Sequence, residues 1–405
     1  MTDSVDYHWL VSYEASRWLT EGANSGLPTH RLIEKLRKSL STSRARLVAA
    51  QVTLRAKAAE KFGPLAQEMF FTDRALQQAT DLGIARYKAC RFGAGKKVTD
   101  YCCGIGGDLL AIAERGLTIG LDQDPTMTLL AEANIRILKC DEQAILKTTT
   151  AEEYPPDASI HWHLDPDRRV EGRRSTRPQW HSPSEATIEQ WLKTASNGAI
   201  KFAPAAELSP EWQQNAELEW ISRSRSCRQL VAWFGELAKF PGQRRATAIK
   251  NDAVNSEPDF FVGDPQTQAP LAVGVGHFVF DTDPCIRAAH LTGALATKLG
   301  CEVLSTGAAY LTGNDPVEHP LITCFSVSDT MPLRVPRLAK HLHLSGIGEL
   351  EIKTRGVSLS PEDLRKRFKL NGDHKATLLL TRQGRKEIAI LAERYTAPGV
   401  TGSQT

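Results

Sequence analysis

The chain has 405 residues, 24% of them charged, 41% hydrophobic and 7% aromatic, with a formal net charge of +3. This composition excludes a disordered or collagenous chain, and the length exceeds what one hydrophobic core fills, so two or three folded units are expected. No run approaches the roughly 18 apolar residues of a membrane helix, Met1 to Asp6 is acidic where a secretion signal is basic, and the eight cysteines show no Cys-x-x-Cys spacing. Neither a disulfide framework nor a metal site is expected, and a reducing cytoplasm fits.

Up to about Phe92 the pattern is helical. Leu32, Leu36, Leu40 and Leu47 recur near a 3.6 period in a segment rich in Arg, Lys and Ala. From Arg31 to Lys61 there are nine Lys/Arg against two Glu, either a solvated helix face or a basic surface. From Lys97 short β-like runs alternate with helix-sized segments: Val98–Cys102, Leu117–Asp122, Ala144–Thr150, Ser159–Asp165, Ala199–Ala203, Leu230–Phe234 and Ala246–Ile249. Such alternation predicts βαβ units and a largely parallel sheet. Asn251–Pro270 is turn-rich and is expected to be a loop. Further on, Glu349–Val357, Ala376–Thr381 and Glu387–Ala392 have strand character, with a turn at Gln383–Gly384. Ser360, Pro361 and Asp363 mark a helix start between the first two. From Met331 to Tyr395 there are fourteen Lys/Arg against seven Asp/Glu, so the small net charge conceals two basic flanks around an acidic middle.

Three motifs carry chemistry. In Val98-Thr-Asp-Tyr-Cys-Cys-Gly-Ile-Gly-Gly-Asp108 a strand ends on a glycine loop that opens onto a helix, the default ligand crevice of an open parallel sheet. Its pattern is Asp-x-x-x-Gly-x-Gly, without the Gly-x-Gly-x-x-Gly of dinucleotide enzymes. An acidic residue at the strand end suits a cationic ligand portion, such as the sulfonium and amino acid of S-adenosylmethionine. Asp122, in Thr118-Ile-Gly-Leu-Asp-Gln-Asp124, closes the second strand where a carboxylate can accept from ribose hydroxyls, while Asp124 before Pro125 is read as a helix cap. In Ile160-His-Trp-His-Leu-Asp-Pro-Asp-Arg-Arg169 a strand delivers Asp165 and Pro166. A carboxylate there can hold an acceptor amine for in-line attack. The arginines that follow, Arg168, Arg169, Arg173, Arg174 and Arg177, can grip phosphates. His161 and His163 share one strand face with no third ligand apparent, and are read as core or lining histidines.

Asp100-Tyr-Cys-Cys-Gly-Ile-Gly-Gly-Asp108, Gly120-Leu-Asp-Gln-Asp-Pro125 and Leu164-Asp-Pro-Asp-Arg-Arg169 resemble the signature blocks of class I S-adenosylmethionine-dependent methyltransferases. With Lys61-Phe62, Ala79-Thr-Asp81, Ile200-Lys-Phe-Ala-Pro204, Asp283-Pro-Cys-Ile-Arg-Ala288 and Gly348 to Val357, the chain is similar to the bacterial group that carries a C-terminal THUMP-like domain. The resemblance implies an α/β fold with a Rossmann-like seven-stranded sheet, bound S-adenosylmethionine, and an RNA substrate, since THUMP domains of RNA-modifying enzymes bind RNA. It divides the chain into a helical region at 1–95, a methyltransferase domain at 96–325, a THUMP-like α+β domain at 326–396 and a disordered tail at 397–405.

The expected cofactor residues are Asp100, Cys102, Gly104, Gly106, Asp122, Asp165 and Pro166, with Asp165 also catalytic. RNA contacts are expected from Arg168, Arg169, Arg365, Lys366 and Arg367. Amine-methylating relatives follow Asp-Pro with Pro and an aromatic; here Asp167 and Arg168 stand instead, so the stacking platform is either missing or supplied from elsewhere, by Trp162 or Phe202. Glu152 is the candidate adenine contact. The expected function is methylation of a base in tRNA or rRNA, without metal or membrane. The alternatives are a non-catalytic RNA-binding protein that retains a cofactor pocket, and a methyltransferase with a protein or small-molecule acceptor.

Overall fold

The structure is a computed structural model that describes residues 4–166, 169–170, 173–174, 182–250, 258–305, 310–368 and 370–396. The chain forms two compact units, Met1–Leu218 with Gln229–Gly242, and Glu219–Arg228 with Gln243–Thr405. The tail expected at 397–405 lies outside the described residues.

The first unit opens with α1 (Ser4–Leu10), α2 (Tyr13–Asn24), α3 (Thr29–Leu36) and α4 (Thr42–Phe62). The leucine period holds up to Leu36, which is buried with Leu32 against Leu10, Leu19 and Val48. Ser41 then restarts the chain by accepting from the Arg44 amide at the N-terminus of α4. Two short helices follow, α5 (Asp73–Gln78) and α6 (Leu82–Ala89), capped by Thr72 and Asp81.

The α/β part comprises β1 (Val98–Tyr101), α7 (Leu109–Ala113), β2 (Thr118–Asp122), α8 (Pro125–Ile137), β3 (Ala144–Thr148), β4 (His161–Leu164), the two-residue strands β5 (Arg169–Val170) and β6 (Arg173–Arg174), α9 (Glu185–Thr194), β7 (Gly198–Phe202), α10 (Pro210–Asn215), β8 (Glu217–Arg223) and β9 (Ser226–Trp233). Strands β3, β2, β1, β4 and β7 lie side by side in that order and are parallel, and β9 joins β7 antiparallel. β1, β4 and β7 are buried along their whole length, as strands covered by helices on both faces must be. This is the Rossmann-like order, with its first crossover reversal at β1.

The sequence did not signal β8. Its Glu-Leu-Glu-Trp start suggests a solvated strand, yet Glu217 is buried in a two-armed pair with Arg91 at 2.9 and 3.1 Å. In the second unit Glu219 is buried beside Arg245 at 3.2 Å. Each glutamate owes its place to an arginine distant in sequence.

The second unit continues with β10 (Arg244–Ile249), β11 (Asp259–Gly263), β12 (Phe278–Thr282), α11 (Pro284–Ala288), α12 (Thr292–Leu299), β13 (Glu302–Val303), β14 (Tyr310–Gly313), β15 (Ile322–Pro332), α13 (Val335–Leu344), β16 (Ile347–Thr354), α14 (Pro361–Arg367), β17 (His374–Gln383) and β18 (Lys386–Arg394). The loop expected at Asn251–Pro270 contains β11, which pairs antiparallel with β10; the cross-strand partners override its turn-rich surroundings. The other strands make a seven-stranded sheet, β13-β14-β12-β15-β18-β17-β16, in which β16 and β17 are parallel across the α14 crossover. Ser360 caps α14 through the Asp363 amide. Leu378 and Leu380 pack with Leu338 and Leu364 of the helices, while Leu379 packs on the other face with Phe325 and Tyr310. A domain boundary at 325/326 falls inside β15, which pairs with β12 on one side and β18 on the other.

One close approach fixes the register of the parallel sheet. Gly198 sits opposite Trp162, and a Cβ there would lie 2.1 Å from the indole. Trp162 is fully buried and donates to the Ala195 carbonyl at 2.7 Å. Gly198→Ala is expected to cost at least about 1–3 kcal/mol, the range for overpacking a core, read as a lower urea midpoint. An unchanged midpoint would mean that Trp162 has room to move.

Candidate functional site

At the C-terminal edge of β1 the chain has to turn within a few residues. Cys102, Gly104 and Gly106 adopt positive φ of 57°, 55° and 90°, and the two glycines do so without a Cβ penalty. The Gly104 amide donates to Asp122 Oδ2 at 2.9 Å, and the Asp124 amide donates to Asp122 Oδ1 at 2.9 Å. Asp122 thus ties the glycine loop to the end of β2. Gly107 lies against Ala79 and Thr80, where an added Cβ would meet the Thr80 nitrogen at 2.9 Å.

These loops border a cleft of about 260 Å³. Of the residues expected to bind a cofactor, Asp100, Cys102, Gly104, Asp122, Asp165 and Pro166 all line it, as does Glu152. Gly106 is in the loop but faces α8, its nearest neighbour being Ala131. The segment from Thr72 to Thr80 forms another wall and brings Arg74 and Gln78 to the cleft. Lys61 holds this wall by donating to the carbonyls of Leu76 and Ala79 at 2.7 and 2.8 Å.

Trp162 and Phe202 are fully buried in aromatic contact with Trp191 and Trp212 respectively. They belong to the core rather than to a stacking platform. Arg168 and Arg177 lie outside the described residues, as do the side chains of Arg169, Arg173 and Arg174. Arg365, Lys366 and Arg367 are exposed on α14 of the second unit. Among the described residues no cluster of metal-ligating side chains occurs.

Beneath the cleft runs a chain of buried polar groups that the motifs only partly announce. Asp165 Oδ2 accepts from Lys201 Nζ at 2.6 Å, and the same ammonium donates to Thr80 Oγ1 at 2.9 Å. Thr80 in turn donates to Asp108 Oδ2 at 2.5 Å. Asp108 Oδ1 pairs with Lys88 Nζ at 2.7 Å, Lys88 meets His163 Nε2 at 3.1 Å, and His163 Nδ1 meets Asp100 Oδ1 at 2.7 Å. The sequence signal for Lys201 was a lone lysine inside the apolar strand Ala199-Ile-Lys-Phe-Ala203. For Lys88 and Thr80, which precede the sheet, no spacing rule pointed to the cleft.

The electrostatics follow from burial. Burial pushes the Asp100 carboxyl up from its ordinary range, opposed by His163. Its Oδ2 is buried without a hydrogen-bond partner although the residue borders the cleft. Burial acts the same way on Asp108, but Lys88, His163 and Lys201 outweigh it and hold that carboxyl below its ordinary range. Burial lowers Lys88, with Asp108 opposing. The thiols of Cys102 and Cys103 are pushed well up, by burial first and then by the carboxylates of Asp122 and Asp100, so they stay protonated.

The acidic lining fits a ligand with a cationic end. The unpartnered Asp100 Oδ2 can accept from an ammonium group, and Asp122 stands at the strand end with the spacing expected of a ribose contact.

The chain is similar to several known proteins. Two curated relatives from Mycobacterium tuberculosis strains CDC 1551 and H37Rv, each an uncharacterized S-adenosylmethionine-dependent methyltransferase, are 28% identical over 339 residues. The match covers 82% of this chain and 91% of theirs. A crystal structure assigned to a methyltransferase of Porphyromonas gingivalis W83 superposes with a TM-score of 0.74 at 19% identity, covering 97% of this chain and 99% of that one. A THUMP domain-like family profile matches residues 322–394.

The pairing of Lys88 with Asp108 gives a pH-dependent prediction. Because the folded Asp108 carboxyl lies below its ordinary value of 3.8, its contribution to stability is full above about pH 4 and is lost as pH falls through the depressed value. Lys88→Met removes the first of the opposing attractions. The variant is expected to lose about 3 kcal/mol or more near neutrality and to begin acid unfolding at a higher pH than wild type. Urea titrations between pH 3 and 7 read both effects; superimposable acid limbs would detach Asp108 from stability.

Proposed function

We propose that this homologue of S-adenosylmethionine-dependent methyltransferases methylates a heteroatom of a base in structured RNA, tRNA or rRNA, in a cytoplasmic setting. The observation that carries the reading is the convergence of the glycine loop, Asp122 and the Lys201-held Asp165 on one cleft. When bound, S-adenosylmethionine supplies an electrophilic methyl group on a sulfonium. Asp100 and Gly104 would hold its methionine portion and Asp122 its ribose, with Cys102, Gly106 and Pro166 shaping the surrounding loops.

Asp165 would hold the acceptor. Lys201 occupies Oδ2, and among the described residues Oδ1 makes no hydrogen bond, so that oxygen is available to an acceptor N–H or O–H. Fixing the carboxylate in one orientation supplies alignment, the main lever for a transfer that needs no covalent intermediate.

RNA as the substrate class is supported by the THUMP domain-like match at 322–394 and by the basic excess from Met331 to Tyr395. In this reading residues 326–396 present RNA through Arg365, Lys366 and Arg367, and Arg168 and Arg169 contribute further contacts to it. A base inside a helix would first have to leave its stack.

Two variants test the proposal with separate readouts. Asp122→Ala is expected to weaken S-adenosylmethionine binding about tenfold or more in calorimetry, because the substitution releases the glycine loop and removes a ligand partner together. Equal affinity in both proteins, or none in either, sinks the cofactor assignment. Asp165→Ala is expected to retain that binding but to lower methyl incorporation into RNA from cells lacking this chain by about 10²-fold or more. Undiminished incorporation would remove Asp165 from the acceptor side.

A further inference from the structure

Away from the cleft, within the second unit, one carboxylate gathers more cations than it can satisfy. Asp281 lies in β12 and is fully buried. Its Oδ2 is 3.0 Å from Arg225 and 3.4 Å from Lys353, and its Oδ1 is 3.8 Å from Arg287 and 3.7 Å from Arg355. The last two separations exceed hydrogen-bonding distance, and among the described residues Oδ1 has no hydrogen-bond partner. The neighbouring carboxylates are engaged elsewhere. Asp283 accepts from Ser222 Oγ and the Cys285 amide, and Glu351 pairs with Lys353 and Arg394.

Among the described residues two donors are left over. Arg355 Nε and the Tyr310 hydroxyl are buried without partners. Tyr310 is fully buried and lies within electrostatic reach of Asp281, Arg355 and Arg287. Arg225 makes its charged contact through one terminal nitrogen and keeps 41% of its side chain exposed, so the cluster opens to solvent. Burial and then the adjacent Arg355 guanidinium hold Arg287 below its ordinary range, with Asp281 opposing; the cations repel one another across the carboxylate. An oxyanion with several acceptor oxygens would meet the idle donors and relieve that repulsion.

We propose that the Asp281 cluster is a phosphate-binding site for an RNA backbone, in which the buried carboxylate orders Arg225, Arg287, Lys353 and Arg355 for a ligand outside them. The site rests on the reading of RNA as substrate class and adds a grip on it that the α14 cations do not provide. Lys353 and Arg355 fall within the segment matched as THUMP domain-like, whereas Arg225, Asp281 and Arg287 precede it. Neither stretch makes the site alone.

The test is binding of bulk tRNA to the full chain, by fluorescence anisotropy, across a series of salt concentrations. Removing one cation that grips a phosphate should lower the slope of log affinity against log salt by about 0.7–0.9, which is about a five- to eightfold weakening at 0.1 M salt. Arg225→Gln and Arg355→Gln are each expected to do so, and the double variant to lower the slope by about twice as much. Thermal melting monitors folding, and Lys353→Gln stands in for any variant that fails to fold. A wild-type slope in folded variants would overturn the site and reduce the cluster to a structural brace, while leaving the RNA reading intact. A wild-type protein that binds no tRNA with salt dependence would overturn the RNA reading, and this site with it.

Discussion

An ionised carboxylate inside a protein needs cations and donors close by, since leaving it unpaired costs several kcal/mol. The floor of the cleft is organised by that need. Asp108, at the end of the glycine loop, draws Lys88 out of α6 and Thr80 from the segment before it. Thr80 meets Lys201 of β7, and Lys201 meets Asp165 beyond β4. On the other side His163 of β4 joins Lys88 to Asp100 of β1. Four separate stretches of chain, at 80–88, 100–108, 163–165 and 201, are thereby held in register, and the two carboxylates proposed to face ligand, Asp100 and Asp165, hang from opposite ends of one network. The cleft is acidic at its surface, yet its foundation is close to charge-balanced.

The second unit solves a related problem with a different result. At Asp281 the cations outnumber what the carboxylate can bind, and the separations of 3.7 and 3.8 Å show guanidinium groups standing off rather than closing in. In the cleft, by contrast, the ion pairs close at 2.6 and 2.7 Å. Short pairs whose cations are all engaged make a brace; longer separations with idle donors leave capacity for an anion. That contrast, rather than the count of charged residues, separates the two clusters.

Much of this was legible in the sequence where a local rule applied. The parallel strands of the first unit, the Asp124 and Ser360 caps, and the meeting of Asp100, Asp122 and Asp165 at strand ends all follow from periodicity and turn chemistry. What escaped were features set by distant partners. β8 carries buried glutamates made tolerable by distant partners, Arg91 and the Lys239 and Phe240 amides at Glu217, Arg245 and Thr247 at Glu219, and β11 depends on pairing with β10. Trp162 was a candidate for stacking because Asp-Pro lacks its usual aromatic, but the opposing Gly198 leaves space for the indole in the core. Lys88 and Thr80 are ordinary helix and loop residues until the sheet is built beside them.

The close approach of Gly107 to the Thr80 backbone bears on what counts as a minimal unit. The glycine loop and the strand-end aspartates all lie after residue 96, so a fragment drawn around them alone would start there. Such a fragment would keep the glycine loop and the strand-end aspartates while discarding Thr80 and Lys88, two of the groups that keep Asp108 and Lys201 satisfied. The segment ahead of the sheet is thus part of the site rather than an appendage to it: cutting it away strips partners from the floor on which the glycine loop and the aspartates stand.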